Sequence, residues 1–175
     1  FVYFLLVCNI GEILIIFFSM LLGMPIPLLP IQLLWLNLVT DGAPALALGL
    51  EKGEPDIMQR PPRPTKEPVV IKEMLTGLIV VPILDTIAVL SVFAIGLAQY
   101  PNHMQNAQTM AFVTLCVSEL FRAYTARSEH YSVFKIGFFS NKSTQWAVGS
   151  SPFLVLITVY VPFFRPFFDT VPLTG

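Results

Sequence analysis

The chain has 175 residues, 55% of them hydrophobic and only 12% charged, with ten Lys and Arg against eleven Asp and Glu for a formal net charge of −1. With a mean hydropathy of +0.73, it is too apolar for a soluble globular domain and reads as an integral, multi-pass membrane protein surrounded by lipid. No basic, aromatic-interleaved surface is present, so nucleic acid is excluded as a partner.

A helix needs roughly 20 residues to cross the hydrocarbon core. Apolar stretches of that order occur at about 1–24, 28–50, 74–99, 107–125 and 145–164. They predict an all-α, polytopic transmembrane helix bundle of five spans, forming a single domain over 1–175. The first stretch is not a secretory signal, because it has no basic leader and carries Glu12 inside its apolar core. Phe1 already lies within that stretch, so the sequence is expected to be a fragment whose N-terminus is upstream.

In the first span, Asn9-Ile10-Gly11-Glu12 sets an amide and a carboxylate in an apolar run. The second span holds Asn37-Leu38-Val39-Thr40-Asp41-Gly42-Ala43-Pro44. On a helix, Asn9 and Glu12 are i and i+3, and Asn37, Thr40 and Asp41 are i, i+3 and i+4, so each set is expected to share a face. Gly42 and Pro44 weaken the helical ladder. An unwound segment there would add free carbonyl oxygens, and broken backbone at membrane depth is tolerated only against protein or a watery cavity.

From Glu51 to Glu73 the composition turns to charges and prolines, among them Pro55, Pro61, Pro62, Pro64 and Pro68. This loop is expected to be extended and semi-rigid. It carries Lys52, Arg60, Arg63, Lys66 and Lys72, and a second basic segment carries Arg122, Arg127, Lys135 and Lys142. The positive-inside rule puts both on the cytoplasmic side. The alternate connections, 24–30 and 100–105, hold no Lys or Arg and are expected outside. Asn141-Lys142-Ser143 then falls on the cytoplasmic side, where a glycosylation sequon has no use.

The third span contains Asp85-Thr86, for which ion binding or hydrogen bonding to Thr86 or a neighbouring helix are both open. The fourth contains Glu119, a third candidate ligand, with Arg122 at i+3 as a possible structural partner. Cys8 and Cys116 lie in separate spans without a CxxC pattern and read as small buried hydrophobes.

A charged carboxylate at mid-membrane costs several kcal/mol unless compensated. Neither of the first two spans has a Lys or Arg for that role. A cation or a proton must supply it. Carboxylates, amides and a hydroxyl are hard oxygen donors, suited to Ca²⁺ and less decisively to Mn²⁺, Mg²⁺ or Na⁺.

The order NIGE, then PIPLLPIQLLWLNLVTDGAPALALG, then EPDIMQRPPRPTKEP closely resembles the C-terminal membrane region of P-type cation-transporting ATPases. It is most like the calcium pumps of the sarco/endoplasmic-reticulum type and their bacterial relatives. The resemblance covers the chain from within the fifth transmembrane helix through the ninth. It implies that Asn9, Glu12, Asn37, Thr40, Asp41 and Glu119 are metal ligands for Ca²⁺ as the transported ion, with acids at Glu12 and Glu119 leaning toward two sites. Asp85 has no counterpart among those ligands, and Arg122 is a departure that could occupy part of the cavity.

The first four helices and the actuator, phosphorylation and nucleotide-binding domains, with their ATP and Mg²⁺, would belong to the rest of the parent chain. This fragment therefore has no catalytic residue of its own. In the mechanism so implied, phosphorylation tilts the first span and moves Glu12 against Asp41, the Pro-rich loop docks the cytoplasmic domain through Asp56, Arg60 and Arg63, and protons return as counter-ions. Very short outer loops fit a bacterial plasma membrane. The alternatives are an ATP-independent channel or exchanger, a P-type pump for Mn²⁺ or Na⁺, and a purely structural bundle.

Overall fold

The computed structural model describes residues 1–51, 58, 68–127, 137 and 139–173. Asp56, Arg60 and Arg63 of the Pro-rich loop lie outside the described residues, as do Lys52, Lys66 and Lys135. The described chain is helical throughout its regular structure, as the apolar runs lead one to expect.

Helix α1 spans Val2–Leu21. It closes where Gly23 adopts φ 68°, a left-handed conformation that glycine takes without a Cβ penalty. Met24 N then donates to Ser19 O at 2.9 Å and Gly23 N to Met20 O at 3.1 Å, the paired bonds of a Schellman end. Leu29 is extended ahead of Pro30, which opens α2, Pro30–Trp35, because a residue before proline avoids the α region and a first-turn proline lacks only an N–H that would go unpaired.

From Leu36 to Gly42 the helix widens into a π segment, and α3 continues over Ala43–Gly49. The chain is therefore not unwound at Gly42 and Pro44. Trp35, Gly42 and Ala43 all keep right-handed helical dihedrals, and the missing Pro44 N–H is absorbed by the wider register. The hydroxyl of Ser151, whose nearer acceptor is Ala147 O at 2.8 Å, also lies 3.4 Å from Val39 O, a carbonyl one turn before that proline.

Helix α4, Lys72–Gln99, runs 28 residues with Pro82 inside it. A short connection leads to α5, Met104–Thr125. Helix α6, Lys142–Tyr160, is capped by Asn141, whose side chain accepts from Ser143 N at 2.9 Å and Thr144 N at 3.3 Å. It stops short of the expected end near 164 because Val161 turns extended ahead of Pro162. The one-turn α7, Arg165–Phe168, follows.

Among the described residues, three segments are long and apolar enough to cross a membrane: Val2–Leu21, Pro30–Gly49 and Met74–Gln99. The other two expected spans form as α5 and α6 but are more polar. In α5 the reason is visible: Gln108, Thr109, Glu119 and Arg122 are buried, so its polar side chains point into the bundle while Val117 and Phe121 face outward. Phe17, Leu38, Trp146 and Phe153 likewise show apolar surface outward, as lipid-facing residues do.

Helix α4 packs against α1 on one side and α5 on the other, and α6 packs against α3 and α5. At the α4–α5 crossing, a Cβ at Gly96 would sit 2.8 Å from Ala107 Cα, so these backbones approach as closely as they do only because that side chain is absent. Two apolar clusters result. One gathers Ile15, Leu36, Phe93, Phe112 and Leu115, and the other Phe4, Cys8, Ala45, Leu120 and Val148. Along α1, the second span and α5, the polar residues Glu12, Asn37, Thr40, Asp41 and Glu119 fall between these two clusters.

Polar side chains lock both ends. Arg127 grips Glu51 with Nε to Oε2 at 3.0 Å and Nη2 to Oε1 at 2.9 Å, and also reaches Gly137 O and Ser140 Oγ. Asn141 Nδ2 donates to the same Glu51 Oε2 at 2.7 Å. At the opposite end Gln32 Nε2 donates to Phe168 O at 3.0 Å, Gln108 Nε2 to Ile26 O at 2.9 Å, and Trp35 stacks edge-on against Phe168. Arg127→Ala strips donors from Glu51 and is expected to cost about 1–3 kcal/mol, read as a lower unfolding temperature of the detergent-solubilised protein. Arg127→Lys, lacking the fork geometry, should recover only part.

Candidate functional site

The second span supplies the centre of the polar band. Widening the helix over Leu36–Gly42 changes the angular step along it and turns Leu36, Thr40 and Asp41 together into the interior. A π segment inside an α-helix is a frequent mark of a functional position. Asp41 is fully buried, and neither of its oxygens meets a nitrogen or oxygen donor; the thiol of Cys8 is the nearest polar group to it. For a carboxylate, which accepts on two oxygens, this is the most expensive state a buried side chain can have.

Around it stand two further acids. Glu119 of α5 is fully buried; its Oε2 accepts from Thr40 Oγ1 at 3.0 Å, while its Oε1 has no partner. Thr40 Oγ1 also lies 2.8 Å from Leu36 O, and its single proton can serve only one of the two at a time. Glu12 of α1 is 7% exposed. Asn37 Nδ2 donates to both Glu12 oxygens, at 3.1 and 2.9 Å, and to Leu33 O at 3.0 Å. The amide thus holds Glu12 toward the second span and leaves its own oxygen free of that bond.

The structure therefore brings together five of the six sequence-expected residues: Glu12, Asn37, Thr40, Asp41 and Glu119. The sixth, Asn9, lies apart. The inward stripe of α1 runs through Phe4, Cys8, Glu12, Ile15 and Ser19, and Asn9 is exposed beside it, its Nδ2 donating to Leu5 O at 2.8 Å.

Two residues left open by the sequence form a pair of their own. Arg122 Nη2 makes an ion pair with Asp85 Oδ2, and Ser118 Oγ donates to Asp85 Oδ1. Arg122 thus serves Asp85 across the α4–α5 interface and not Glu119 on its own helix. Thr86 does not partner Asp85 either; its hydroxyl donates to Pro82 O at 2.7 Å.

The other guanidinium nitrogen, Nη1, donates to Cys8 Sγ at 3.4 Å. Cys8 is buried as expected but does not sit among hydrocarbon alone. Its sulfur and one oxygen each from Asp41 and Glu119 lie within 4.8 Å of one another. The signal that could have found it is spacing, since Cys8 precedes Glu12 by four residues and so shares its helical face.

Among known proteins, the family profile described as "Cation transporting ATPase, C-terminus" matches residues 25–175. The "Calcium-transporting ATPase" of Bacillus subtilis is 42% identical over 174 residues, 99% of this chain. The "Calcium-transporting ATPase 1" of Yarrowia lipolytica is 33% identical over 174 residues, again 99% of the chain, and that of Saccharomyces cerevisiae 29% over 170 residues, or 97%. The chain spans 19% of the length of the first two relatives and 18% of the third.

Breaking a buried ion pair from one side costs about 3–5 kcal/mol, whereas removing both charges costs far less. Arg122→Met should therefore lower the unfolding temperature markedly, and Arg122→Met combined with Asp85→Asn should regain most of the loss. Equal losses in the single and double variants would show that the pair is not what joins α4 to α5.

Proposed function

Because the chain belongs to the cation-transporting ATPases, as their C-terminal membrane region, we propose that it forms the membrane part of a P-type pump that moves Ca²⁺ out of the cytoplasm. The observation that carries this reading is Asp41, buried with no nitrogen or oxygen donor on either oxygen, beside the unpartnered oxygen of Glu119. With Arg122 committed to Asp85, the charges of Glu12, Asp41 and Glu119 have no basic partner among the described residues. A divalent cation satisfies both deficits at once, as charge and as a partner for the oxygens.

The donors are hard: three carboxylates, the Asn37 amide oxygen and the Thr40 hydroxyl. That set favours Ca²⁺, which takes six to eight oxygens in flexible geometry. The printed names of the calcium-transporting relatives support the same ion. Asn9, on the exposed side of α1, faces where the first four helices of the full pump would pack, and would complete the ligand set there. The basic Pro-rich loop, 51–73, and the segment around Arg127 lie on the cytoplasmic side, and the membrane is the plasma membrane of a bacterium.

ATP and Mg²⁺ act in the cytoplasmic domains of the full pump. Phosphorylation there tilts α1 and moves Glu12 relative to Asp41 and Glu119. The site then passes from a high-affinity inward state to a weak outward one, as alternating access requires. Asn37 is placed to act in this step, since its amide can hold Glu12 when no cation does. Protons replace the cation on the return path, because carboxylates at this depth are not left charged and unpaired.

In membrane vesicles containing the full-length pump, Asp41→Asn is expected to abolish ATP-driven ⁴⁵Ca²⁺ uptake and to weaken Ca²⁺ activation of ATP hydrolysis by more than about 100-fold. Cation flux that needs no ATP would instead identify a channel or exchanger, and an indifferent Asp41→Asn would remove the site. Replacing Arg60 and Arg63 together should leave Ca²⁺ binding intact and uncouple hydrolysis from transport; unchanged coupling would reject the docking role of the loop.

A further inference from the structure

We propose that Cys8 makes this cluster a mixed sulfur and oxygen site, at which a thiophilic divalent cation such as Cd²⁺ or Zn²⁺ binds through Cys8, Asp41 and Glu119 in competition with the transported ion. The inference rests on the reading of the cluster as the pump's cation site. Cys8 has the burial of an inert core cysteine but not its neighbours. Its sulfur meets an arginine nitrogen at 3.4 Å and two carboxylates, and its ligand atom and theirs all lie within 4.8 Å of one another.

That spacing suits one ion. With Zn–S near 2.3 Å and Zn–O about 2.0–2.2 Å, donors on a shared tetrahedral metal stand roughly 3.3–3.7 Å apart, so closing on an ion from at most 4.8 Å brings each pair together by no more than about 1.5 Å. A second observation points to a ligand independently of the thiol. Glu119 Oε1 has no hydrogen-bond partner although the residue is fully buried, and Asp41, also fully buried, has no nitrogen or oxygen donor on either oxygen. The carboxylates are thus available to an ion, and Cys8 is the neighbour that decides which ion gains most.

Chemistry sets the direction of the preference. Ca²⁺ gains little from sulfur, whereas Cd²⁺ and Zn²⁺ bind thiolate strongly. Binding forms a sulfur–metal bond in place of the S–H bond, and the proton leaves to water. Arg122 Nη1 holds the sulfur in place from α5, while its Nη2 pairs with Asp85. Three helices converge on this arrangement: α1 brings the sulfur, the π segment Asp41, and α5 both Glu119 and Arg122.

The test uses the purified full-length pump with Cd²⁺ alone as the probe, measuring displacement of bound ⁴⁵Ca²⁺ and the ultraviolet charge-transfer band of a Cd–thiolate bond. Cys8→Ser should raise the Cd²⁺ concentration needed for displacement at least tenfold and remove the band, and Cys116→Ser should do neither. Equal Cd²⁺ potency in wild type and Cys8→Ser would overturn the proposal. Should the variant fail to fold, X-ray absorption at the cadmium edge of wild-type protein carrying one Cd²⁺ decides: sulfur beside oxygen supports the site, and an all-oxygen shell overturns it. Cys8-dependent Cd²⁺ binding in a protein that binds no ⁴⁵Ca²⁺ would leave the sulfur site standing and sink the calcium reading; bound ⁴⁵Ca²⁺ with Cd²⁺ indifferent to Cys8 would do the reverse.

Discussion

A carboxylate removed from water and given no nitrogen or oxygen donor is the constraint around which this bundle is organised. Desolvating such a group costs several kcal/mol, and Asp41 bears that cost on both oxygens. The surrounding structure can hold it there only because the second span is fixed from both sides. Apolar contacts above and below, around Leu36 and Ala45, clamp the helix, and the π segment between them turns Thr40 and Asp41 inward as a unit. The energy that holds such a carboxylate in place comes from the packing of its neighbours.

The rest of the polar inventory divides by whether it is satisfied. Arg127, Glu51 and Asn141 at one end, and Gln32 and Gln108 at the other, are hydrogen-bonded and tie helix ends to connections. Satisfied networks of this kind fix one arrangement. The middle of the bundle is different: oxygens of Asp41 and Glu119 are left open, and Thr40 has one proton for two acceptors.

Arg122 shows how one basic residue can lie beside such a centre without destroying it. Left unpaired, a guanidinium near Asp41 and Glu119 would act as a tethered cation beside the two carboxylates. Asp85 takes up that charge from the adjacent helix, with Ser118 holding its other oxygen. The pair also gives the α4–α5 interface, already close through Gly96 and Ala107, a directional contact within an otherwise apolar crossing.

The sequence by itself determined the class of the protein, the helices, and most of the polar band. Long apolar runs can satisfy their backbone in lipid only as helices, and an acid placed in such a run has to face inward. Those are local rules, so spacing singled out Asn9 and Glu12 on one helix and Asn37, Thr40 and Asp41 on the next, and Glu119 stood out as an acid inside an apolar run. Only the tertiary structure decided which faces meet. Asn9 and Glu12 differ by three positions, yet packing against the second span and α5 selects the stripe through Cys8 and Glu12 and leaves Asn9 outside it. The partner of Arg122 is likewise 37 residues away on another helix, beyond the reach of any i, i+3 rule. At Pro44 the sequence suggested a broken helix, and the wider π register absorbed the missing donor instead. Periodicity specifies the angle of a side chain around its own helix; the neighbours that angle meets depend on how whole helices dock, and that is set by the sum of contacts along their length.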